Sequence, residues 1–480
     1  MSRVIVNDMW YLVYNALLLI ASPVVILILL AKQRCRRGLP QRLGLSEGSF
    51  GLFSLFRSKA PDKPNEPNQP NKPNQPDEPN KPVIWVHAVS LGEVVAVAPL
   101  VKELHRRHPG HRFVVSTVTE TGREAVEQRL AGVAEHCYAP LDFPMVVSRM
   151  IARLNPVLYV FVETELWPNL LRQLRRSGVP TVLVNGRLST RSFARQQWGI
   201  VRSFYRTMVQ SLSLCLMQSD RDVERIVALG ADARLVRRTG NIKFDQPVPD
   251  STDSRSIKAG LGLQEGDRLI VAGSTHQGEE EVLVDCYRML VQRHPAARLI
   301  LAPRHIERAD QVEAMVRARG LPVRRRSLIG QGQGSSELGP RVLLLDSRGE
   351  LATLYREAVV AFVGGTLVPV GGHNLLEPAL WGKPVLFGPY TDHCAEIADL
   401  LLQAGGGLQV TQEGLTRQIV HLFDHPEECA LIGGAARSVV EQNQGALRAT
   451  VEAVDSLLAS SDSRKTSSLS RNPIPLMAGR

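Results

Sequence analysis

The chain predicts two doubly wound α/β domains behind a single N-terminal membrane helix. Short apolar runs alternate with helix-forming stretches from Val83 onward, the polar stretch Pro247 to Ser254 divides that alternation in two, and an apolar run from Trp10 to Ala31 opens the chain. Its 480 residues leave room for two domains of ordinary size and some extras.

The apolar run is broken only by small or polar residues such as Tyr14, Asn15 and Ser22. At about 1.5 Å per residue it can span a hydrocarbon core of about 30 Å. Pro23 suits a kink, Trp10 and Tyr11 suit an interface, and Lys32, Arg34, Arg36 and Arg37 follow at once, which places the rest of the chain in the cytoplasm. A cleaved signal peptide fits less well, because the basic cluster lies after the run and no small-residue cleavage site is evident. Residues 1–37 are thus the anchor and its basic flank, and 38–82 a linker. Within it, Asp62 to Pro82 repeats Pro-Asn units among Lys, Glu, Gln and Asp, so it is expected to be an extended, solvated spacer between membrane and enzyme.

A formal charge of +10 points to an acidic partner. The basic residues are dispersed rather than blocked, which favours a membrane surface or a phosphorylated substrate over nucleic acid. The six cysteines, at 35, 137, 215, 286, 394 and 429, have no C-x-x-C pairing or metal-ligand spacing and read as reduced thiols.

In the first domain, 83–245, apolar runs at Val83 to Ala88, Phe113 to Thr117, Val157 to Val162 and Thr181 to Asn185 read as parallel strands. Ligands of such sheets sit beyond the carboxyl ends of the strands. Glu93 lies just past the first run, and Glu163 and Glu165 just past the third. A carboxylate there can take a proton from an incoming hydroxyl, although a first-turn carboxylate complementing the helix dipole is the plainer reading of Glu93. Arg187, Arg191 and Arg195 recur every fourth residue, with Arg202 and Arg206 beyond. On a helix the first three share a face, either solvated or turned to an anionic glycolipid. Ser219-Asp-Arg-Asp222 contains a D-x-D, but Ser219 with Asp222 fits a helix capping box, and no metal is expected there.

The second domain, 246–458, is organised around Phe362-Val-Gly-Gly-Thr-Leu-Val-Pro-Val-Gly-Gly-His-Asn-Leu-Leu-Glu377: a strand, two glycine pairs, and a helix opened by Asn374 and running to Trp381. Free N–H groups in such a loop and the positive end of the helix dipole favour an anion such as a nucleotide phosphate. Gly273-Ser-Thr-His-Gln-Gly-Glu-Glu280 offers a second phosphate neighbourhood through Ser274, His276 and its helix start. Arg304, after Pro303 at a strand end, can grip phosphate with two prongs. The serine-rich, basic tail, 459–480, is expected to be disordered.

Six motifs in order, His87-Ala-Val-Ser-Leu-Gly-Glu93, Glu163-Thr-Glu-Leu-Trp-Pro-Asn169, Gly240-Asn-Ile-Lys-Phe-Asp245, Gly273-Ser-Thr-His276, Pro303-Arg304-His305 and Gly371-Gly-His-Asn-Leu-Leu-Glu377, resemble the 3-deoxy-D-manno-octulosonic acid (Kdo) transferases of lipopolysaccharide synthesis. The likeness runs from the anchor to about residue 455. It implies a GT-B glycosyltransferase with two Rossmann-like domains facing a cleft, moving Kdo from CMP-Kdo to lipid IVA with inversion, at the inner membrane. It implies Glu93 as general base, with Glu163 and Lys243 supporting the transition state. CMP falls to Pro303 and Arg304, to Arg348, Gly349 and Glu350, and to Asn374, Leu375, Leu376 and Glu377; the acceptor assignment of Arg187 and Arg191 comes from their basic face and not from the resemblance. No cofactor or metal is expected, CMP-Kdo being the donor substrate. Two departures stand out: the Pro-Asn spacer is not part of the family pattern, and Arg348 stands where an apolar residue is common. The alternatives are a GT-B enzyme using a UDP-sugar, similar to a lipid A disaccharide synthase, and an anchored protein that binds nucleotide or glycolipid without catalysis.

Overall fold

A computed structural model describes residues 2–31, 38–45, 81–245, 254–329 and 341–469. They fall into two compact units, one built from the chain up to Gln246 together with the residues from Gly445 on, the other from Pro247–Gln444.

The first unit carries β1 (Val83–His87), β2 (Arg112–Thr117), β3 (Glu135–Tyr138), β4 (Pro156–Val162), β5 (Thr181–Gly186), β6 (Leu214–Met217) and β7 (Val236–Arg238). They lie in the order β3-β2-β1-β4-β5-β6-β7, every pair parallel. Both faces are apolar because alternate residues go to opposite sides. Ile84, Val86, Leu158 and Val160 meet one helical layer, and Trp85, Tyr159 and Phe161 meet the other. The strand order reverses between β1 and β4, so the loops after those two strands diverge and leave a crevice at their carboxyl ends.

The second unit repeats the plan with β8 (Arg268–Thr275), β9 (Ala297–Pro303), β10 (Val323–Arg325), β11 (Val342–Leu344), β12 (Ala358–Val363), β13 (Val385–Phe387) and β14 (Gly407–Gln409). The order is β10-β11-β9-β8-β12-β13-β14, again all parallel, and it reverses between β8 and β12.

Several boundaries differ from the expectation. The helix Ala446–Leu469 belongs to the first unit, where Val451, Val454 and Leu458 join the same core as Ile84 and Val86 by packing on the helix Leu91–Arg107. Its start is tied down by Asp245, which accepts the N–H groups of Gly445 at 2.7 Å and Leu447 at 2.8 Å. Residues 445–458 are therefore not part of the second domain, and the expected disordered tail is helical to Leu469 because its first turns continue a packed helix. The segment 38–45, expected in the linker, is docked on the first unit: Leu39 and Arg42 are buried, and Arg42 donates to Val118 O at 2.6 Å.

The Pro-Asn run lies outside the described residues. The chain has already reached the first unit at 38–45 and re-enters it at Val83, so the run connects two points on one unit and does not set a distance between membrane and enzyme. The N-terminal helix forms over Ser2–Ala31. Among the described residues no helix is long and apolar enough to cross a membrane; Trp10, Tyr11 and Tyr14 instead pack on Phe204 of the first unit.

Candidate active site

Both units place their polar clusters where strand order reverses. In the first, the chain turns after β1 into the helix Leu91–Arg107, which puts Glu93 in its first turn. Glu93 Oε2 accepts the Val89 N–H at 2.7 Å and Oε1 accepts the Ser90 hydroxyl at 3.3 Å. Burial pushes the carboxyl up to about 7, with the charges of Glu163 and Glu165 adding to the rise and the Val89 N–H opposing it. The first-turn reading of Glu93 is thus right about the backbone contact, yet a dipole partner in water would not be so perturbed.

Glu163 follows β4 with φ 58°, a left-handed conformation that costs a non-glycine residue about 1–3 kcal/mol. The turn aims its carboxylate at Lys243, 3.3 Å away. Lys243 sits on the 3-10 turn Ile242–Asp245, held by Asn185 Oδ1, which accepts the Ile242 N–H at 3.0 Å. Glu93, Glu163 and Lys243, far apart in sequence, are brought together at one switch point.

Two residues beside them stand in the quoted motifs but were given no role from sequence. Trp167 donates Nε1–H to Glu165 at 3.2 Å and stands edge-on to His87, ring centroids 5.5 Å apart. His87 is buried, and burial lowers its pKa to about 4. Its Nδ1 lies 2.9 Å from Ser116 Oγ, which also accepts Trp85 Nε1–H at 2.8 Å, and its buried Nε2 has no hydrogen-bond partner among the described residues. The signal was available in His87 closing a strand, two residues from Trp85.

The arginines do not form one face. Arg187 lies just after β5, before the helix Thr190–Gln196 begins, and its carbonyl accepts the Thr164 hydroxyl. Arg191 and Arg195 are exposed on that helix, while Arg202 and Arg206 are on a separate one, Gly199–Val209. Ser219 caps the helix Asp220–Leu229, accepting the Asp222 N–H at 3.2 Å, and Asp222 in turn accepts Leu188 N–H at 2.8 Å.

In the second unit the glycine loop differs from the expectation. Glu279, fully buried, accepts N–H bonds from Gly365 (2.8 Å), Thr366 (3.0 Å), Leu367 (2.9 Å) and His276 (2.9 Å). The N–H groups of Gly371 and Gly372 both go to Gly365 O, at 3.1 and 2.8 Å. These five loop amides are thus spent inside the protein. The helix Glu279–Arg293 is likewise capped by its own Glu281, which accepts the Gly278 N–H at 2.9 Å. Glycine is still required: at Gly364 a Cβ would meet Ser274 O at 2.4 Å.

What this crevice presents is a cluster of imidazoles beside Arg304. His276, expected here with Ser274, stacks on His373 with Nε2 atoms 2.8 Å apart, and His305 meets His276 edge-on. Burial, then the positive fields of His276, Arg304, His393 and His305, push His373 down to about 4. Ser274 is half-buried with φ 55°, Pro303 is buried, and Arg304 is exposed, its N–H donating to Thr275 O at 3.0 Å.

Asn374 does not open an eight-residue helix; the helix is Leu376–Leu380, and Asn374 Oδ1 accepts Leu376 N–H at 3.1 Å while its Nδ2 reaches Glu377 at 3.2 Å. Leu375 and Leu376 are buried, leaving only their backbone for a ligand. Arg348 is exposed and faces Glu307 at 3.6 Å, Gly349 has φ 92°, and Glu350 is held by Arg326 at 2.8 Å and by Ser347.

Two parallel-sheet α/β units, each with its polar cluster at a switch point, define a fold of the GT-B glycosyltransferase type. The same fold is found in UDP-GlcNAc 2-epimerase from Neisseria meningitidis (TM-score 0.54, 14% identity, 78% of this chain and 99% of that one). It is also found in a glycosyltransferase from Rickettsia africae ESF-5 (TM-score 0.50, 13% identity, 78% and 97%).

The chain belongs to the 3-deoxy-D-manno-octulosonic acid transferase family. The family model described as "3-Deoxy-D-manno-octulosonic-acid transferase (kdotransferase)" matches residues 63–246. The Haemophilus influenzae transferase is 37% identical over 76% of this chain and 84% of its own length, and that of Bordetella pertussis 36% over 78% and 87%.

Proposed function

We propose that this chain transfers Kdo from CMP-Kdo to a sugar hydroxyl of lipid IVA, with inversion at the anomeric carbon and release of CMP. The observation that carries this reading is the Glu93 carboxyl, pushed up to about 7 beside Glu163 and Lys243. A base titrating near the working pH suits proton removal from a hydroxyl and is worth about 10²- to 10⁴-fold in rate. As the acceptor oxygen bonds to the anomeric carbon, its proton passes to Glu93, the bond to the cytidylate phosphate breaks, and CMP departs with the electron pair. Glu163 and Lys243 support the charges that develop.

The second unit holds the nucleotide. Arg304 and the His276–His373 pair receive phosphate, with Ser274 and Pro303 shaping the loop around it. Gly349, Glu350 and the turn Asn374 to Glu377 receive the cytidine; Arg348 contributes through its backbone. Arg187 and Arg191 receive the acceptor's anionic groups. The reading invokes no metal, since side-chain cations meet the leaving group's charge. The helix Ser2–Ala31 attaches the protein to the cytoplasmic face of the inner membrane; Leu12, Leu17, Ile20 and Val24, exposed at 60 to 75%, support this.

Mass spectrometry of the product made by purified protein from CMP-Kdo and lipid IVA tests the reaction. CMP should inhibit and UDP should not; inhibition by UDP alone favours the UDP-sugar alternative. A Glu93→Ala variant should still bind CMP while transfer is lost, whereas full activity in that variant refutes the assignment of the base.

A further inference from the structure

Tyr14 and Asn15 are the polar residues within the first turns of the apolar run, and both face the first unit. The Tyr14 hydroxyl donates to Asp142 Oδ2 at 3.0 Å. Asn15 and Asn169 form a reciprocal amide pair, Asn169 Nδ2 to Asn15 Oδ1 at 2.7 Å and Asn15 Nδ2 to Asn169 Oδ1 at 3.3 Å. Their partners are buried and bound to one another: Asp142 accepts the N–H groups of Asn169 at 3.0 Å and Leu170 at 2.9 Å. One turn earlier, Trp10 Nε1 donates to Ser203 Oγ at 3.2 Å, and the Arg172 guanidinium covers the Tyr11 ring at 4.1 Å.

From Ala16 to Val24 most side chains are exposed, and all but Ser22 are apolar. An amide in an apolar helix is costly wherever it lacks a partner, and Asn15 finds one in Asn169 just before the side chains of the helix become mostly exposed. Asn169 is the second residue of the helix Pro168–Arg176, which begins where the loop Glu163 to Trp167 ends.

We propose that Tyr14 and Asn15, clamped by Asp142 and Asn169, fix where the anchor helix leaves the catalytic unit and thereby set the height of the Glu163–Trp167 loop above the lipid surface. The clamp residues are positioning residues: they touch no substrate and act through the loop. This rests on the membrane attachment proposed above. An anchor joined by a loose tether would concentrate enzyme near its acceptor but would present the loop at no fixed depth.

The test uses the full chain and a Tyr14→Phe/Asn15→Leu variant, which keeps the helix apolar and removes both hydrogen bonds. Three quantities are measured: flotation with phospholipid vesicles, kinetics on lipid IVA embedded in those vesicles, and kinetics on the deacylated, water-soluble acceptor. Flotation and soluble-acceptor kinetics should match wild type, while KM for the embedded acceptor rises about tenfold with kcat retained. An unchanged embedded-acceptor KM, with wild type floating normally, overturns the clamp alone. Wild type that does not float overturns the membrane attachment and the clamp with it. Equal losses on both acceptors, or weaker flotation of the variant, make the contacts ordinary structural ones and also overturn the proposal.

Discussion

Replacing Glu93 by Gln should abolish turnover and at the same time stabilise the protein, by an amount that depends on pH. The unfolded carboxyl releases its proton near 4.5 and the folded one near 7. Between those values the folded chain binds more protons than the unfolded one, so this group's contribution is fully present below 4.5 and is lost as pH rises through 7. At about 1.36 kcal/mol per tenfold change, the loss approaches about 3 kcal/mol, which partial solvent access reduces to about 1–2 kcal/mol. Gln fills the same space, accepts the Val89 N–H and never ionises, so the variant should gain that amount over wild type between pH 5 and pH 8.

Urea denaturation followed by tryptophan fluorescence reads this directly, because Trp10, Trp85, Trp167 and Trp198, four of the five tryptophans, belong to the first unit. A stability gap between variant and wild type that stays constant with pH refutes the argument. So does a Glu93 carboxyl that titrates near 4.5 by NMR.

Four further outcomes are expected. In wild type, kcat/KM should climb tenfold per pH unit below about 7 and level off above it, as removal of a proton from Glu93 requires. Glu279→Ala should strand four N–H groups, three of them buried, lower stability by about 3 kcal/mol and weaken CMP binding, measured by calorimetry and by CMP titration. Binding of CMP should draw a proton onto the His276–His373 pair, because an anion offsets the positive fields that hold His373 down; calorimetry in buffers of different ionisation heat should show uptake, and affinity should rise as pH falls toward 6. A chain ending at Gln444 should bind a hydrophobic dye through its first unit, where Val451 and Val454 are fully buried in the intact protein.

The inner strands were legible because a parallel strand covered on both faces reads as an unbroken apolar run, as in Val83 to Val86 or Ala358 to Val363. The outermost strands of the two sheets, β3, β7, β10 and β14, are three or four residues long and include sequences such as Val236-Arg-Arg238; with one neighbour each they need little apolar surface. Glu93 and Glu163 were found by their position after a strand, a local property. The partners of the glycine-loop amides were not: Glu279 lies 86 residues before Gly365, and nothing near the loop announces it. Arginine at every fourth residue suggested a helix through Arg187, but Asn185, at φ 53°, and the cap at Ser189 start that helix later.

The return of Ala446–Leu469 to the first sheet also dictates an order of assembly during translation. Strands β1 to β7 and the helix Leu91–Arg107 emerge first, yet the core on that side of the sheet is completed by a helix that is synthesised last. The intervening residues 247–444 can finish folding in the meantime. The half of the polypeptide made earliest is therefore the last to be completed.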